Sequence, residues 1–330
     1  MQFPDSPTDP LAQLYLEDTD RKLPDRIDVR MRYVFFKTIA RGGKCLIQGC
    51  KDLHLSRTIC YKSLHREIAD DPIEQQRFLR EARVTAMLQH PNTVPVYELG
   101  RDNRGHLYFT MKLVHGYTMR ELLNPQYRDR YDLVQLIGVV IQVGRALEYS
   151  HAHGVIHRDI KPENILVGPF GEVLLLDWGL AKVWNREGRS TEPLVGKGTE
   201  DPIDELSITQ HGKLQGTVAF MSPEQVERSP EIDGRTDLYS LGVILYEILC
   251  GELPAKGTTA DQVIDKILHS SPERPSTVTR RRVPRQLEEL TMDCLQKDPE
   301  RRIQSAAELV RDLQQDWTER SVEATRPQPD

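Results

Sequence analysis

The chain has 330 residues, 38% of them hydrophobic, with 44 Lys plus Arg against 50 Asp plus Glu and a net charge of −6. That is enough apolar material for one large or two small globular domains, and the acidic balance, with "RRR" at 280–282 the only concentrated basic run, argues against nucleic acid as a partner. Five cysteines without a C-x-x-C pair encode neither a disulfide framework nor a zinc site, and no apolar run reaches the roughly 18 residues of a membrane span, so a soluble, cytoplasmic chain with no membrane partner is expected.

Residues 1–30 are polar, proline-bearing and aperiodic, and read as a tail. From 31 onward come short apolar or alternating runs, "YVFFKTIA", "RTICYKSL", "TVPVYELG" and "HLYFTMKL", which predict strands, with "RDNRG" at 101–105 as the turn between the last two. One segment interrupts them: "PIEQQRFLREARVTAMLQ" at 72–89 puts Phe78, Leu79, Ala82, Val84, Ala86 and Leu88 on one helical face. From Met119 the pattern is helical. "LVQLIGVVIQVGRALEYSHAHG" is apolar enough to be buried, "DLYSLGVILYEILCG" ends on a glycine stop, and "RQLEELTMDCLQ" and "SAAELVRDLQQDW" are amphipathic. Residues 319–330 return to the composition of the first tail.

Chemistry enters at "HRDIKPEN", 157–164, after the long helix. By itself an Asp-x-Lys pair on a loop is as well explained by a solvated turn. Further on, "VLLLDWGLA" sets Asp177 between a strand-like run and a glycine turn, and with Asn164 it offers two oxygen ligands of the kind Mg²⁺ takes alongside substrate phosphates. Asp159 is left to accept a proton.

With these elements in order, "ICYK" with Lys62, Glu81, "HRDIKPEN", "DWG", "MSPEQ" at 221–225, "DLYSLG" from Asp237 and "DPERR" at 298–302, the chain closely resembles the protein kinase family over roughly residues 33–318. "KPENILVGPFGEVLLLDWGLAK" followed by "GTVAFMSPEQ" resembles its bacterial, eukaryotic-like serine/threonine branch. The resemblance implies an α+β fold with two lobes: a small lobe (31–111) with a five-stranded antiparallel sheet and one helix, a hinge (112–116), and a large, mainly helical lobe (117–318).

It further implies ATP and Mg²⁺ as cofactors, with Mn²⁺ as an alternative ion, and protein Ser/Thr hydroxyls as substrates. Lys62 would contact the α/β-phosphates and pair with Glu81, Asp159 would deprotonate the acceptor, Lys161 would neutralise the transferring phosphate, and Asn164 and Asp177 would hold the metal. Met111 would guard the adenine pocket, Lys112 to Val114 would read adenine through the backbone, and Leu166 would floor it. Arg302 and Glu224 would form a buried ion pair. Singly, Lys62 reads better as a surface lysine at a strand end and Glu81 as a solvated helix residue; it is their company that favours the functional reading.

The segment from Asp177 to Glu224 is polar and rich in hydroxyls, and Arg158 is the residue that could pair with a phosphate on it. Thr209 is the first choice of phosphosite, followed by Ser207, Thr191 and Ser190. Thr217 matches the threonine that contacts the catalytic Asp and Lys and is a further candidate. Self-association for autophosphorylation in trans is an expected partnership.

"TIARGGKCLIQG", 38–49, is the weak match. Against G-x-G-x-x-G-x-V it gives Ala40, Gly42, Cys45 and Ile47, with Ile39, Arg41, Gly43 and Lys44 completing the loop. If Ala40 or Cys45 had to adopt positive φ, each would cost about 1–2 kcal/mol; in ordinary strand geometry the effect is steric only. Cys60 stands where an alanine usually roofs the adenine. An ATP affinity weakened about tenfold is therefore expected. Oxidation of Cys45 could block the site, but Cys45, Cys50 and Cys60 read better as small apolar fillers of a sheet. The competing reading for the whole chain is a pseudokinase, a binding or scaffold module with weak or no ATP turnover.

Overall fold

The computed structural model describes residues 32–124, 131–183 and 218–324. The N-terminal tail and the phosphosite candidates Ser190, Thr191, Ser207, Thr209 and Thr217 lie outside the described residues. The chain divides into two compact units, one extending to Gly116 and including Gly168–Gly171, the other comprising Tyr117–Val167 and everything from Glu172.

The first unit contains β1 (Tyr33–Arg41), β2 (Cys45–Asp52), β3 (Arg57–Leu64), α1 (Pro72–Met87), β4 (Val96–Arg101) and β5 (Leu107–Lys112). The strands form one antiparallel sheet in the order β1-β2-β3-β5-β4. Alternation along β3 sets its two faces. Ile59 and Tyr61 pack with Cys50 and Tyr108 on one side, where the two tyrosine rings stack at 4.6 Å. Leu64 packs on the other with Phe109 and with Phe78 and Ala82 of α1.

Pro72 opens α1, and the Asp71 side chain caps it by accepting from the Ile73 and Glu74 N–H groups. Of the apolar face expected from the sequence, Phe78, Ala82, Val84 and Leu88 are buried and Leu79 is half-buried, but Ala86 is exposed. The buried stripe runs instead through Glu74, Phe78, Glu81 and Thr85, so Ala86 sits one residue, about 100°, beyond its edge. Two carboxylates therefore enter the buried face, and each requires a cation.

The second unit contains β6 (Tyr117–Thr118), α2 (Met119–Leu122), α3 (Leu133–Ala152), β7 (Val155–Ile156), β8 (Ile165–Val167), β9 (Val173–Leu175), β10 (Lys182–Val183), α4 (Pro223–Val226), α5 (Arg235–Cys250), α6 (Ala260–His269), α7 (Pro275–Val278), α8 (Arg285–Cys294) and α9 (Ala306–Ala324). Its short strands pair as β6-β8-β9 and β10-β7. A capping box between Asp132 and Gln135 starts α3. Nearly every residue of α5 is buried, and the helix stops at Gly251 in the left-handed conformation, φ 82°. Gly144 of α3 and Gly242 of α5 permit close helix approach: a Cβ there would come within 2.6 Å of Val310 and 2.5 Å of Cys294.

Two further features differ from the sequence reading. α6, with Val263 and Ile267 buried and a Thr259 cap, has no counterpart among the elements expected above. α9 runs to Ala324, past the expected boundary at 318, because no Gly or Pro interrupts the chain between 306 and Pro327.

Candidate active site

In the sheet unit, Lys62 lies mid-β3 between Ile47 of β2 and Phe109 of β5. Its Nζ is 2.5 Å from Glu81 Oε1, and both residues are only 9% exposed. This answers the burial of Glu81: each charge neutralises the other, and loss of either would leave an unpaired charge in a desolvated place.

The turn joining β1 and β2 is not strained. Ala40 pairs with Ile47 just past a register shift that follows Thr38, Cys45 pairs with Leu64, and neither they nor Gly42 and Gly43 adopt positive φ. The cost of about 1–2 kcal/mol that positive φ would carry is not incurred. Ile39, Ala40, Arg41, Gly42, Gly43 and Lys44 are exposed, while Ile47 is half-buried. Cys45 packs against the Leu64–Phe78–Phe109 cluster, as does Met111. Burial pushes the Cys50 and Cys60 thiols up to about 12, which makes them inert fillers rather than redox-active thiolates. Val114 is half-buried beyond the end of β5.

In the helical unit, the catalytic loop is held by a residue to which sequence reading gave no role. Asp237, fully buried in the first turn of α5, accepts from the backbone N–H of His157 (2.9 Å) and of Arg158 (2.8 Å) and from His151 Nε2 (2.8 Å). Arg158 has φ 66°, a conformation costly for a residue with a side chain, and these bonds fix it. His157 Nδ1 accepts from the Asp159 N–H (3.2 Å), so its proton resides on Nε2, which donates to the Leu176 carbonyl (3.0 Å). The Trp178 ring packs edge-on against His157 at 4.5 Å.

Burial works against the Asp237 charge, but His151 and the two backbone donors hold its carboxyl below the ordinary range. A depressed folded-state value contributes stability above the unfolded value of about 4, and this is lost as pH falls through the folded value. Asp237→Asn should therefore be less stable at pH 7 and lose less further stability on acidification, as measured by urea unfolding between pH 7 and pH 3.

Asp159 projects from this loop with both carboxylate oxygens engaged. Lys161 Nζ donates to Oδ1 (2.8 Å) and Oδ2 (2.7 Å), and Asn164 Nδ2 donates to Oδ2 (2.9 Å) and to the Asp159 carbonyl (2.9 Å). Burial pushes the Asp159 carboxyl above its usual range, Lys161 opposes this, and the Asp177 charge adds to it. The result is a carboxylate oriented by two donors and more basic than a free aspartate.

Asn164 directly precedes β8 and Asp177 follows β9, strands paired Ile165 to Leu175, and the Leu176 N–H donates to the Asn164 carbonyl at 2.8 Å. One hairpin thus presents both oxygen donors, with Leu166 half-buried upon it. Asp177 is exposed and has φ 61°. Because Asn164 spends its amide hydrogens on Asp159, its Oδ1 remains as an acceptor. A neutral oxygen and one carboxylate fit Mg²⁺, which favours few protein ligands; among the described residues no cluster of three His, Cys, Asp or Glu forms an all-protein cage.

The "MSPEQ" element is bonded to the same loop: Gln225 Nε2 donates to the Arg158 carbonyl at 2.8 Å. Beneath it, Arg302 Nη1 and Nη2 meet Glu224 Oε1 (2.7 Å) and Oε2 (3.0 Å), and Thr236 Oγ1 donates to Glu224 (2.7 Å). Burial opposes the Glu224 charge, yet Arg302 holds its carboxyl below the ordinary range.

A family model described as the protein kinase domain matches residues 33–317. The serine/threonine-protein kinase PknD of Protochlamydia amoebophila is 36% identical over 86% of this chain and 29% of its own length. PknB of Mycobacterium leprae is 34% identical over 86% of this chain and 42% of its own, and a probable serine/threonine-protein kinase of Streptomyces coelicolor is 34% identical over 86% and 39%. The chain thus spans about a third of the length of the curated relatives it matches. These matches, over most of the chain, show that it belongs to the protein kinase family, in its bacterial, eukaryotic-like serine/threonine branch.

Proposed function

We propose that this domain is a working serine/threonine protein kinase that transfers the γ-phosphate of Mg-ATP to protein hydroxyls. The observation that carries the reading is the Asp159 carboxylate, oriented by Lys161 and Asn164 and raised in basicity by burial. Phosphoryl transfer depends on positioning and charge neutralisation more than on covalent chemistry. Asp159 takes the proton of the acceptor hydroxyl on a carboxylate oxygen, while Lys161, already beside it, balances the charge of the transferring group. Asn164 Oδ1 and the Asp177 carboxylate hold Mg²⁺, which supplies charge neutralisation of the phosphates when bound. Lys62, kept in place by Glu81, carries the α/β-phosphates. Ile39 to Cys45, Ile47, Cys60, Met111, Val114 and Leu166 complete the nucleotide contacts in this reading.

Autophosphorylation at Thr209, Ser207, Thr191, Ser190 or Thr217, and self-association to achieve it in trans, belong to the same proposal, as does a cytoplasmic setting. Among the described residues no helix is long and apolar enough to cross a membrane. The scaffold reading is weakened by the formed Lys62–Glu81 pair and by relatives that are named as kinases.

The test is phosphoamino-acid analysis after incubation with labelled ATP and a mixed protein acceptor. Label is expected on Ser and Thr, to vanish with EDTA and to return with Mg²⁺; Mn²⁺ in its place measures ion selectivity. Label on Tyr, or none with Mg²⁺, would overturn the reading. Asp177→Asn should raise the Mg²⁺ concentration needed for half-maximal rate by about tenfold or more, because it replaces the charged ligand of the pair by a neutral one.

A further inference from the structure

The glycine-poor turn is gripped from two sides. His65, directly after β3, donates its backbone N–H to the Lys44 carbonyl (2.9 Å), and its Nε2 lies 2.8 Å from the Gly42 carbonyl. Because a carbonyl can only accept, that nitrogen carries the proton. One residue thus ties both ends of the turn, which closes on itself through Gly42 N–H to the Cys45 carbonyl at 2.9 Å.

From the same turn, Lys44 Nζ reaches Glu74 Oε1 at 2.7 Å, and Arg77 holds that carboxylate at 3.0 Å. Glu74 is 9% exposed, in the first turn of α1. Glu74 and Glu81 lie two turns apart on the same buried stripe of α1. One helix therefore carries the carboxylate that pairs with Lys62 and the carboxylate that anchors the turn.

We propose that His65 and the Lys44–Glu74 pair are positioning residues for Mg-ATP: a latch that fixes the 42–44 turn to α1 and presents its backbone to the phosphates. The proposal rests on the kinase reading above. A loop that must be ordered when ligand arrives gives up conformational entropy, and a turn already pinned has met that cost in advance. Lys44 is half-exposed, so the ion pair alone contributes little; its effect comes through the turn it restrains.

The test measures the Mg-ATP Kd by calorimetry, and KM and kcat for phosphoryl transfer, in the wild type, Glu74→Gln, His65→Ala, His65→Gln and Lys44→Arg. Glu74→Gln and His65→Ala should raise both Kd and KM about three- to tenfold, with kcat within about twofold. His65→Gln, which keeps a donor, and Lys44→Arg, which keeps the cation, should restore most of the affinity. If Lys44 instead served the phosphates directly, freeing it by Glu74→Gln would leave Kd unchanged or lower it, and that result overturns the latch. Wild-type binding with unaltered variants overturns the latch alone, whereas a wild type that binds no Mg-ATP overturns the kinase reading and the latch with it. Thermal unfolding midpoints near that of the wild type confirm that the variants are folded.

Discussion

Asp159→Asn is expected to lower kcat by about a thousandfold while leaving the Kd for Mg-ATP within about twofold. The substitution keeps the size of the side chain and removes its ability to take a proton. It also removes the charge that holds Lys161, whose Nζ donates to both carboxylate oxygens, so both groups proposed for the transfer step are disturbed together. A residual rate remains from phosphate positioning, which Asp159 does not supply.

The pH profile provides a second readout of the same residue. Burial raises the Asp159 carboxyl above its ordinary value, so the base is lost to protonation at a higher pH than a free aspartate would be. The acid limb of kcat should therefore lie above about pH 4. The sign for stability is opposite to that of Asp237 and Glu224: a raised carboxyl penalises the native state at neutral pH, and protonation relieves the penalty.

The second large effect concerns stability. Arg302→Gln should cost about 3–5 kcal/mol, because it strands the Glu224 carboxylate in a buried site where Arg302 bonds both of its oxygens. Arg302 is 2% exposed and also donates to the carbonyls of Arg235 (2.7 Å) and Gln296 (3.1 Å), so three segments lose a common donor. For a domain of this size the loss corresponds to a fall in Tm on the order of 10 °C. Removing both charges with Arg302→Met and Glu224→Leu should cost less than the single change, since no unpaired charge remains. A double variant as unstable as the sum of the singles would contradict the account. The effect should reach activity as well, because α4 carries Gln225, which bonds the Arg158 carbonyl.

Much of this was legible in the sequence. Hydrophobic alternation located β3 and β5, glycine marked the end of α5, and motif order singled out Lys62 with Glu81 and Asp159 with Lys161 and Asn164, which the structure brings into hydrogen-bond contact. What escaped was set by contacts distant along the chain. Asp237 was visible only as the first letter of a motif, and its role arises because the backbone amides of residues 157 and 158 turn towards it across some eighty positions. Glu74 and His65 belong to no motif in the sequence, and periodicity does not reveal a carboxylate buried against a lysine from another turn. The backbone angles of Ala40 and Cys45 were undecidable from composition, because the same letters fit a strained loop or a plain strand. α9 exceeded its expected end for the opposite reason: nothing in a run of good helix formers says where it must stop.

We propose that Lys62, Asp159, Asn164 and Asp177 form a complete catalytic set despite the glycine-poor loop. Its most direct test is the initial rate of phosphate transfer from Mg-ATP to Ser or Thr, measured for the wild type beside Asp159→Asn and Lys62→Met at matched fold stability. Transfer by the wild type is expected, and both substitutions should reduce it by about a hundredfold or more. Equal rates in all three, or no transfer by a wild type that still binds Mg-ATP, would contradict it.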